Sequence, residues 1–146
     1  MLKRLELLGV NVGDRWDGLA TYAEQQIGDH VLSFTDLHSF MTLAAVNKPD
    51  IMKKYLSSLT DFAKEPNNYS ASITGPLIIP MCEGIAAFEA GEFNAAVDKL
   101  WPLRDQWAGI GGSHAQRDIF TQILLDATIG AEQYERARTL LSQRLS

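Results

Sequence analysis

The sequence predicts an all-α fold, a right-handed superhelix of stacked antiparallel helical hairpins with about eight helices. Apolar residues recur every three or four positions along most of the chain, which is the period of an amphipathic helix. No segment alternates strictly between apolar and polar residues, as a half-buried strand would. The length of 146 residues suits a single domain, residues 1–146, that can bury a sizeable core.

Two capping helices are predicted at the start of the chain, within residues 2–28. The first has an apolar stripe formed by Leu2, Leu5 and Leu8. The glycine-bounded segment 9–13 is expected to turn the chain, and Asp14 can then cap the second helix. Gly28 is expected to end that helix.

Three hairpins are predicted after these helices, at residues 30–64, 76–107 and 113–145. We expect residues 65–75 to form a polar, mobile surface connection between the first two. Pro102 is expected to kink or shorten the second helix of its hairpin. Ser113 and Gln116 have the spacing of a capping box that starts the last hairpin.

The stretch from residue 84 to residue 97 carries the clearest hairpin pattern. Small residues lie where two helices must touch, and aromatic residues lie where the turn must be sealed; these are Gly84, Ala87 and Ala96, and Phe88 and Phe93. Gly91 supplies the turn. The pattern is typical of a tetratricopeptide repeat, whose hairpins bury their apolar faces by stacking on their neighbours.

The three hairpins share a hinge position. Ile51, Phe93 and Tyr134 each follow a tight turn, and they lie roughly 40 residues apart, against about 34 in a standard tetratricopeptide repeat. We therefore expect enlarged connections between the hairpins, with the central copy closest to the consensus.

Three blocks of the sequence resemble a known family. The segments Gly13–Asp17, His30–His38 and Gly111–Phe120 are similar, in the same order, to blocks of the tetratricopeptide repeat protein 38 family. The similarity covers nearly the whole chain and corresponds to the C-terminal part of family members, which are usually much longer. The resemblance implies an α-helical repeat fold, and it carries no established activity.

Composition argues against several classes of partner. The net charge of −5 and the scattered basic residues are unfavourable for nucleic acid, which needs clustered Lys and Arg. The longest apolar run, residues 77–82, is far shorter than the roughly 20 residues of a membrane span, and the N-terminus lacks the pattern of a signal peptide. The single Cys82 fits a small core residue in a reducing compartment, so a cytoplasmic location is predicted.

Five polar residues are candidates for a ligand site or a polar network: Asp36, His38, His114, Arg117 and Asp118. His114 and Asp118 are spaced to share a helix face, whereas Asp36 and His38 point apart. One hypothesis is a buried network that fixes helix packing, because buried polar groups need hydrogen-bond partners. The other is a small-ligand or metal site. No nucleophile triad or zinc spacing is recognised, so no catalytic residue, metal ligand or cofactor is predicted.

A groove is the second candidate surface. In tetratricopeptide stacks the first helix of each hairpin lines a groove, and here this arrangement would expose Leu43, Ile78, Met81, Ile85, Phe88, Gln122 and Asp126. Its apolar centre suits an amphipathic helix or an extended peptide. The alternative is that one of the chain's own helices, or a second copy, fills the groove.

These observations lead to two functional hypotheses. The first is a non-enzymatic, tetratricopeptide-like scaffold that binds a protein or peptide partner or self-associates as a homodimer, with neither nucleic acid nor membrane as its partner. The second is an enzyme, or a small-ligand or metal-binding domain, that uses the His/Asp cluster.

Overall fold

The computed structural model describes residues 1–146 and confirms the all-α class, with eight helices and no strand. Their bounds are α1, Leu2–Leu7; α2, Arg15–Gln25; α3, Ser33–Ala45; α4, Pro49–Phe62; α5, Tyr69–Glu89; α6, Phe93–Leu100, extended by a 3-10 segment, Trp101–Ile110; α7, His114–Gly130; and α8, Tyr134–Leu145. Helices α3 and α4, α5 and α6, and α7 and α8 pack against each other, and α5 also packs on α3 while α7 packs on α6. Each pair is a hairpin that rests on the next.

Helix α5 begins earlier than the sequence predicts. Residues 65–75 were expected to form a surface connection, but the chain is helical from Tyr69, because the Asn68 side chain accepts a hydrogen bond from the Ala71 N–H at 3.3 Å and caps the helix. A π-helical turn, Thr74–Ile78, then contains Pro76 and precedes Pro80. The widened turn lets the helix continue past two residues that have no N–H to donate.

The helix that contains Pro102 is shortened, as predicted. The α-helical part of α6 ends at Leu100, and the chain continues with 3-10 geometry from Trp101 to Ile110. A capping box at Ser113 then starts α7: Gln116 donates its N–H to the Ser113 hydroxyl at 3.3 Å, and the Gln116 side chain accepts from the Ser113 N–H at 2.8 Å.

Glycines allow close approach at two helix contacts, one within a hairpin and one between hairpins. A Cβ atom on Gly84 would lie 2.6 Å from Cγ of Leu100, so α5 and α6 can meet only without a side chain there. A Cβ atom on Gly130 would lie 2.5 Å from Cδ2 of Phe93, at the contact between α7 and α6. The small residue expected at position 84 therefore has a packing role.

The N-terminal helix returns across the stack. Helix α1 packs against α7, although α2, which follows it, packs against α3. Lys3 is buried and forms ion pairs with Glu6, at 2.6 Å, and with Glu89 on α5. Trp16 on α2 donates its indole N–H to Glu6 at 2.8 Å. Helix α1 is thereby fastened to α2, α5 and α7 at once.

Helix α5 is long and apolar enough, by length and composition alone, to cross a membrane. The sequence prediction missed this because it considered only unbroken apolar runs. The apolar side chains of the helix belong to the protein core, where the fully or nearly fully buried residues include Leu77, Ile78, Met81, Cys82 and Ile85. A core helix passes the same length and composition test.

Candidate functional site

The five polar candidates do not converge on one site. Asp36 is buried between α3 and α4, where it bonds to residues of the preceding loop and of α4. His38 lies two residues further along α3 and faces a cavity that Asp36 does not line. His114 is exposed as the first residue of α7. Asp118 lies one turn after His114, and its partners come from α1 and α8.

Asp36 is the centre of a chain of buried hydrogen bonds, which we call the buried relay. Its Oδ1 accepts from Nδ1 of His30 at 2.9 Å and from the Tyr55 hydroxyl at 2.7 Å. Nε2 of His30 lies 2.7 Å from the Ser58 hydroxyl. Burial, and then the neighbouring charge of Asp36, raise the pKa of Tyr55 far above its ordinary value, so the phenol keeps its proton and donates.

Aromatic packing fixes the position of His30 in the relay. Its ring stacks on Phe62 with a centroid distance of 5.0 Å and meets Tyr55 edge-on at 5.9 Å. Its φ of +41° lies in the left-handed region, which a non-glycine residue adopts only where its surroundings enforce it. The sequence analysis did not identify His30, Tyr55 or Ser58, because their contacts join separate segments and no local spacing signals them.

A largely apolar opening, which we call the apolar cavity, lies between α1 and α2 on one side and α3 and α7 on the other. Its volume is about 660 Å³, and ten of its seventeen lining residues are hydrophobic. They include Trp16, Leu19, Tyr22, Phe34, Met41 and Ile119. This volume and this lining are typical of a site for a small ligand or an inserted side-chain cluster.

His38 is a polar residue of the apolar cavity, and its tautomer follows from its contacts. Its Nδ1 lies 2.9 Å from the Phe34 carbonyl oxygen, which can only accept, so Nδ1 carries the proton. Burial lowers the pKa of His38 and outweighs the bond to Phe34, which raises it. The imidazole is therefore neutral at pH 7, and Nε2 has a free lone pair.

Asp118 connects the two ends of the chain. It forms ion pairs with Arg4 on α1 at 3.2 Å and with Arg144 on α8 at 2.5 Å, and it accepts from Gln122 at 2.6 Å. Partial burial acts to raise the pKa of Asp118, but the Gln122 and Arg4 bonds and the nearby Arg144 charge outweigh it, and the pKa is lowered.

Arg117 points away from Asp118 and stabilises the loop before α7. Its guanidinium donates to the carbonyl oxygens of Gly111, at 3.2 Å, and Gly112. Both glycines have positive φ values, so the loop adopts a conformation that other residues rarely take. The role of Arg117 is thus to hold a turn.

The predicted groove is closed at its centre. Leu43, Ile78, Met81 and Ile85 have no exposed surface, because the chain's own helices cover the apolar face that the repeat pattern would leave open. Phe88, Gln122 and Asp126 are half-buried at the margin. Phe88 packs on Phe93 at 5.8 Å, Gln122 binds Asp118, and burial raises the pKa of Asp126.

Neither metal ligation nor thiol chemistry has support in the geometry. No group of three or more His, Cys, Asp or Glu side chains lies close enough together to hold a metal ion. Cys82 is a free thiol that is completely buried, and this burial raises its pKa well above the ordinary value. The apolar cavity and the surface end of the buried relay are the two openings beside the polar candidates.

No protein-family model matches the chain, and no solved structure matches it. Membership of the tetratricopeptide repeat protein 38 family stays a prediction from the sequence blocks.

Proposed function

We propose that this chain is a tetratricopeptide-like interaction module in the cytoplasm, a right-handed superhelix of hairpins that binds a protein or peptide partner or a second copy of itself. The packing of three successive helix pairs supports the repeat interpretation. The net charge of −5 favours a protein partner over nucleic acid. The single free cysteine supports a reducing compartment.

The apolar cavity is the observation that carries this proposal. Two large apolar side chains on α2 stand at its edge, with Leu19 47% and Tyr22 60% exposed. An exposed apolar patch beside a concave surface marks an interaction site, and tyrosine is a frequent anchor of protein interfaces. An apolar side-chain cluster of a partner helix or extended segment fits this space.

Charge introduced at the cavity edge tests the proposal. A peptide ligand is first selected against the wild-type chain from a displayed library of amphipathic peptides, and self-association is measured by sedimentation. Leu19→Asp combined with Tyr22→Asp is expected to weaken peptide binding or self-association at least 100-fold, because loss of an interface anchor costs about 2–4 kcal/mol. Both positions are exposed, so helicity should be retained.

Leu141→Asp provides the matched control. Leu141 is 44% exposed on α8 and does not line the apolar cavity. The control should leave binding within about twofold of wild type. Equal loss in both variants, or no loss in the double variant, contradicts the proposed site.

His38 favours a second candidate function, binding of a small, mainly apolar molecule. Its unprotonated Nε2 can accept one hydrogen bond inside a cavity of about 660 Å³, and the Lys3 and Arg4 side chains beside it are already paired with carboxylates. A neutral ligand with a single hydroxyl or amide donor fits this arrangement better than an anion. A co-purified molecule seen by native mass spectrometry would favour this candidate over the protein partner.

A further inference from the structure

Ser58 directs its hydroxyl away from its own helix. Thr60, on the same helix, donates to the Leu56 carbonyl at 2.8 Å, which is the usual local bond of a helical hydroxyl. The Ser58 hydroxyl instead lies 2.7 Å from Nε2 of His30. In the tautomer in which Nδ1 of His30 donates to Asp36, Nε2 has a lone pair that can accept the Ser58 proton.

Ser58 also opens on a second cavity, which we call the polar cavity. Its volume is about 500 Å³, and His30 and Val31 line it together with Ser58. Val31 lines the cavity, and its backbone N–H donates no hydrogen bond within the protein. The left-handed backbone at His30 is a further sign, since enforced strain of this kind clusters at functional sites.

We propose that Ser58, His30 and Asp36 form a hydrolytic centre for small cationic esters. Ser58 is the nucleophile, His30 is the general base, and Asp36 is the positioning residue that keeps the proton on Nδ1. Tyr55 donates to the same oxygen of Asp36 and holds the carboxylate in place. This centre is independent of the proposed binding function, because the polar and apolar cavities share no lining residue.

The reaction needs only the ester and water. Ser58 Oγ attacks the ester carbonyl carbon while its proton passes to Nε2 of His30, and the carbonyl oxygen becomes an oxyanion, for which the Val31 N–H is the candidate donor. The carbon–oxygen bond to the alcohol then breaks, and the alcohol takes the proton from Nε2. Water attacks the acyl-Ser58 ester, gives one proton to Nε2, and releases the acid as Ser58 regains that proton.

The lining of the polar cavity indicates the charge of the substrate. Asp29, Asp61 and Glu65 line it, and no Lys or Arg does. Asp61 is paired with Lys64 at 2.9 Å, which leaves two carboxylates whose charge is not balanced by a salt bridge. A cationic group on the ester would be attracted to this wall, and an anionic group would be repelled.

A fluorophosphonate probe tests the centre directly. The probe is expected to label Ser58 of the full-length chain, as located by peptide mass spectrometry. Ser58→Ala should lower the labelling rate at least 100-fold, because general-base activation of a serine contributes about 10²–10⁴ in rate. Ser57→Ala is the matched control, since Ser57 is the exposed neighbour on the same helix, and it should label at the wild-type rate. Absence of labelling at Ser58, or equal labelling of Ser58→Ala, overturns the proposal.

Turnover tests the substrate class and the role of Asp36. Acetylcholine, a cationic ester, should be hydrolysed at least tenfold faster than neutral 4-nitrophenyl acetate when each rate is divided by the rate in buffer alone. Equal ratios would overturn the substrate class. Asp36→Asn should lower kcat for acetylcholine about 100-fold with KM unchanged, because the wrong tautomer of His30 becomes available. An unchanged kcat in a folded Asp36→Asn variant, judged by circular dichroism, overturns the positioning role.

Discussion

The two carboxylate oxygens of Asp118 bind three side chains, one from its own helix and two from helices at opposite ends of the chain. The sequence spacing pairs it with His114, but its partners include Arg4, 114 positions away, and Arg144, 26 positions away. Helix periodicity predicts which residues share a face and not which helix will cover that face. The same limit applies to the buried relay, where Asp36 was identified from the sequence and His30 and Ser58 were not.

Replacing Asp118 should destabilise the protein in a way that depends on pH. The pKa of Asp118 is lowered in the folded state, so its stabilising contribution is complete above the ordinary Asp value of about 3.9 and is lost as the pH falls through the lowered pKa. Asp118→Asn should therefore lower the free energy of unfolding at pH 7 by about 1 kcal/mol. The difference from wild type should shrink on the acid side, as measured by urea titration.

Asp61→Asn is the control for this prediction. Asp61 pairs with Lys64 on the surface, where both side chains are more than 70% exposed, and such pairs contribute little. We expect a change within about 0.5 kcal/mol at every pH. An Asp118→Asn variant that behaves like Asp61→Asn would contradict the assigned role of Asp118.

At the contact between α5 and α6, the local pattern of small and aromatic residues predicted the packing correctly. Gly84 lies where the helices touch, and Phe88 packs on Phe93 at the turn. Local sequence determines such a hairpin because both partners and the turn lie within a few residues of each other. The start of α5 was predicted wrongly. Proline usually ends a helix, but here the helix starts at the Asn68 cap and continues through Pro76 by means of a π-helical turn.

A methyl group at Gly84 should therefore be costly. The added Cβ would lie 2.6 Å from Cγ of Leu100, a buried residue that has little space to move. We expect Gly84→Ala to lower the free energy of unfolding by about 1–3 kcal/mol, measured by chemical denaturation. Gly18→Ala on α2 meets nothing within 4 Å and should stabilise by about 0.5–1 kcal/mol. Equal stability of the two variants would contradict the close packing of α5 and α6.

The return of α1 onto α7 gives the whole molecule its candidate binding site. Helices α1, α2 and α3 follow one another in the chain, whereas α7 is far from them in sequence. The ion pairs of Lys3 and Arg4 help to hold α1 against the stack. The sequence predicted the hairpins and left open whether the chain's own helices fill the groove. In the structure, the chain's own helices cover the centre of the predicted groove, and the apolar cavity lies beside it. No repeat pattern could indicate this cavity, because α1 lies outside the repeats.

Hydrogen–deuterium exchange tests this location most directly. Exchange is measured on the wild-type chain with and without the selected peptide, at a concentration that saturates binding. The account predicts slower exchange in the segments that line the apolar cavity, residues 1–4, 16–23, 34–42 and 115–119, and unchanged exchange in α6 and α8. Protection confined to α6 and α8, with residues 16–23 and 34–42 unaffected, would contradict the central claim that partners bind in the apolar cavity.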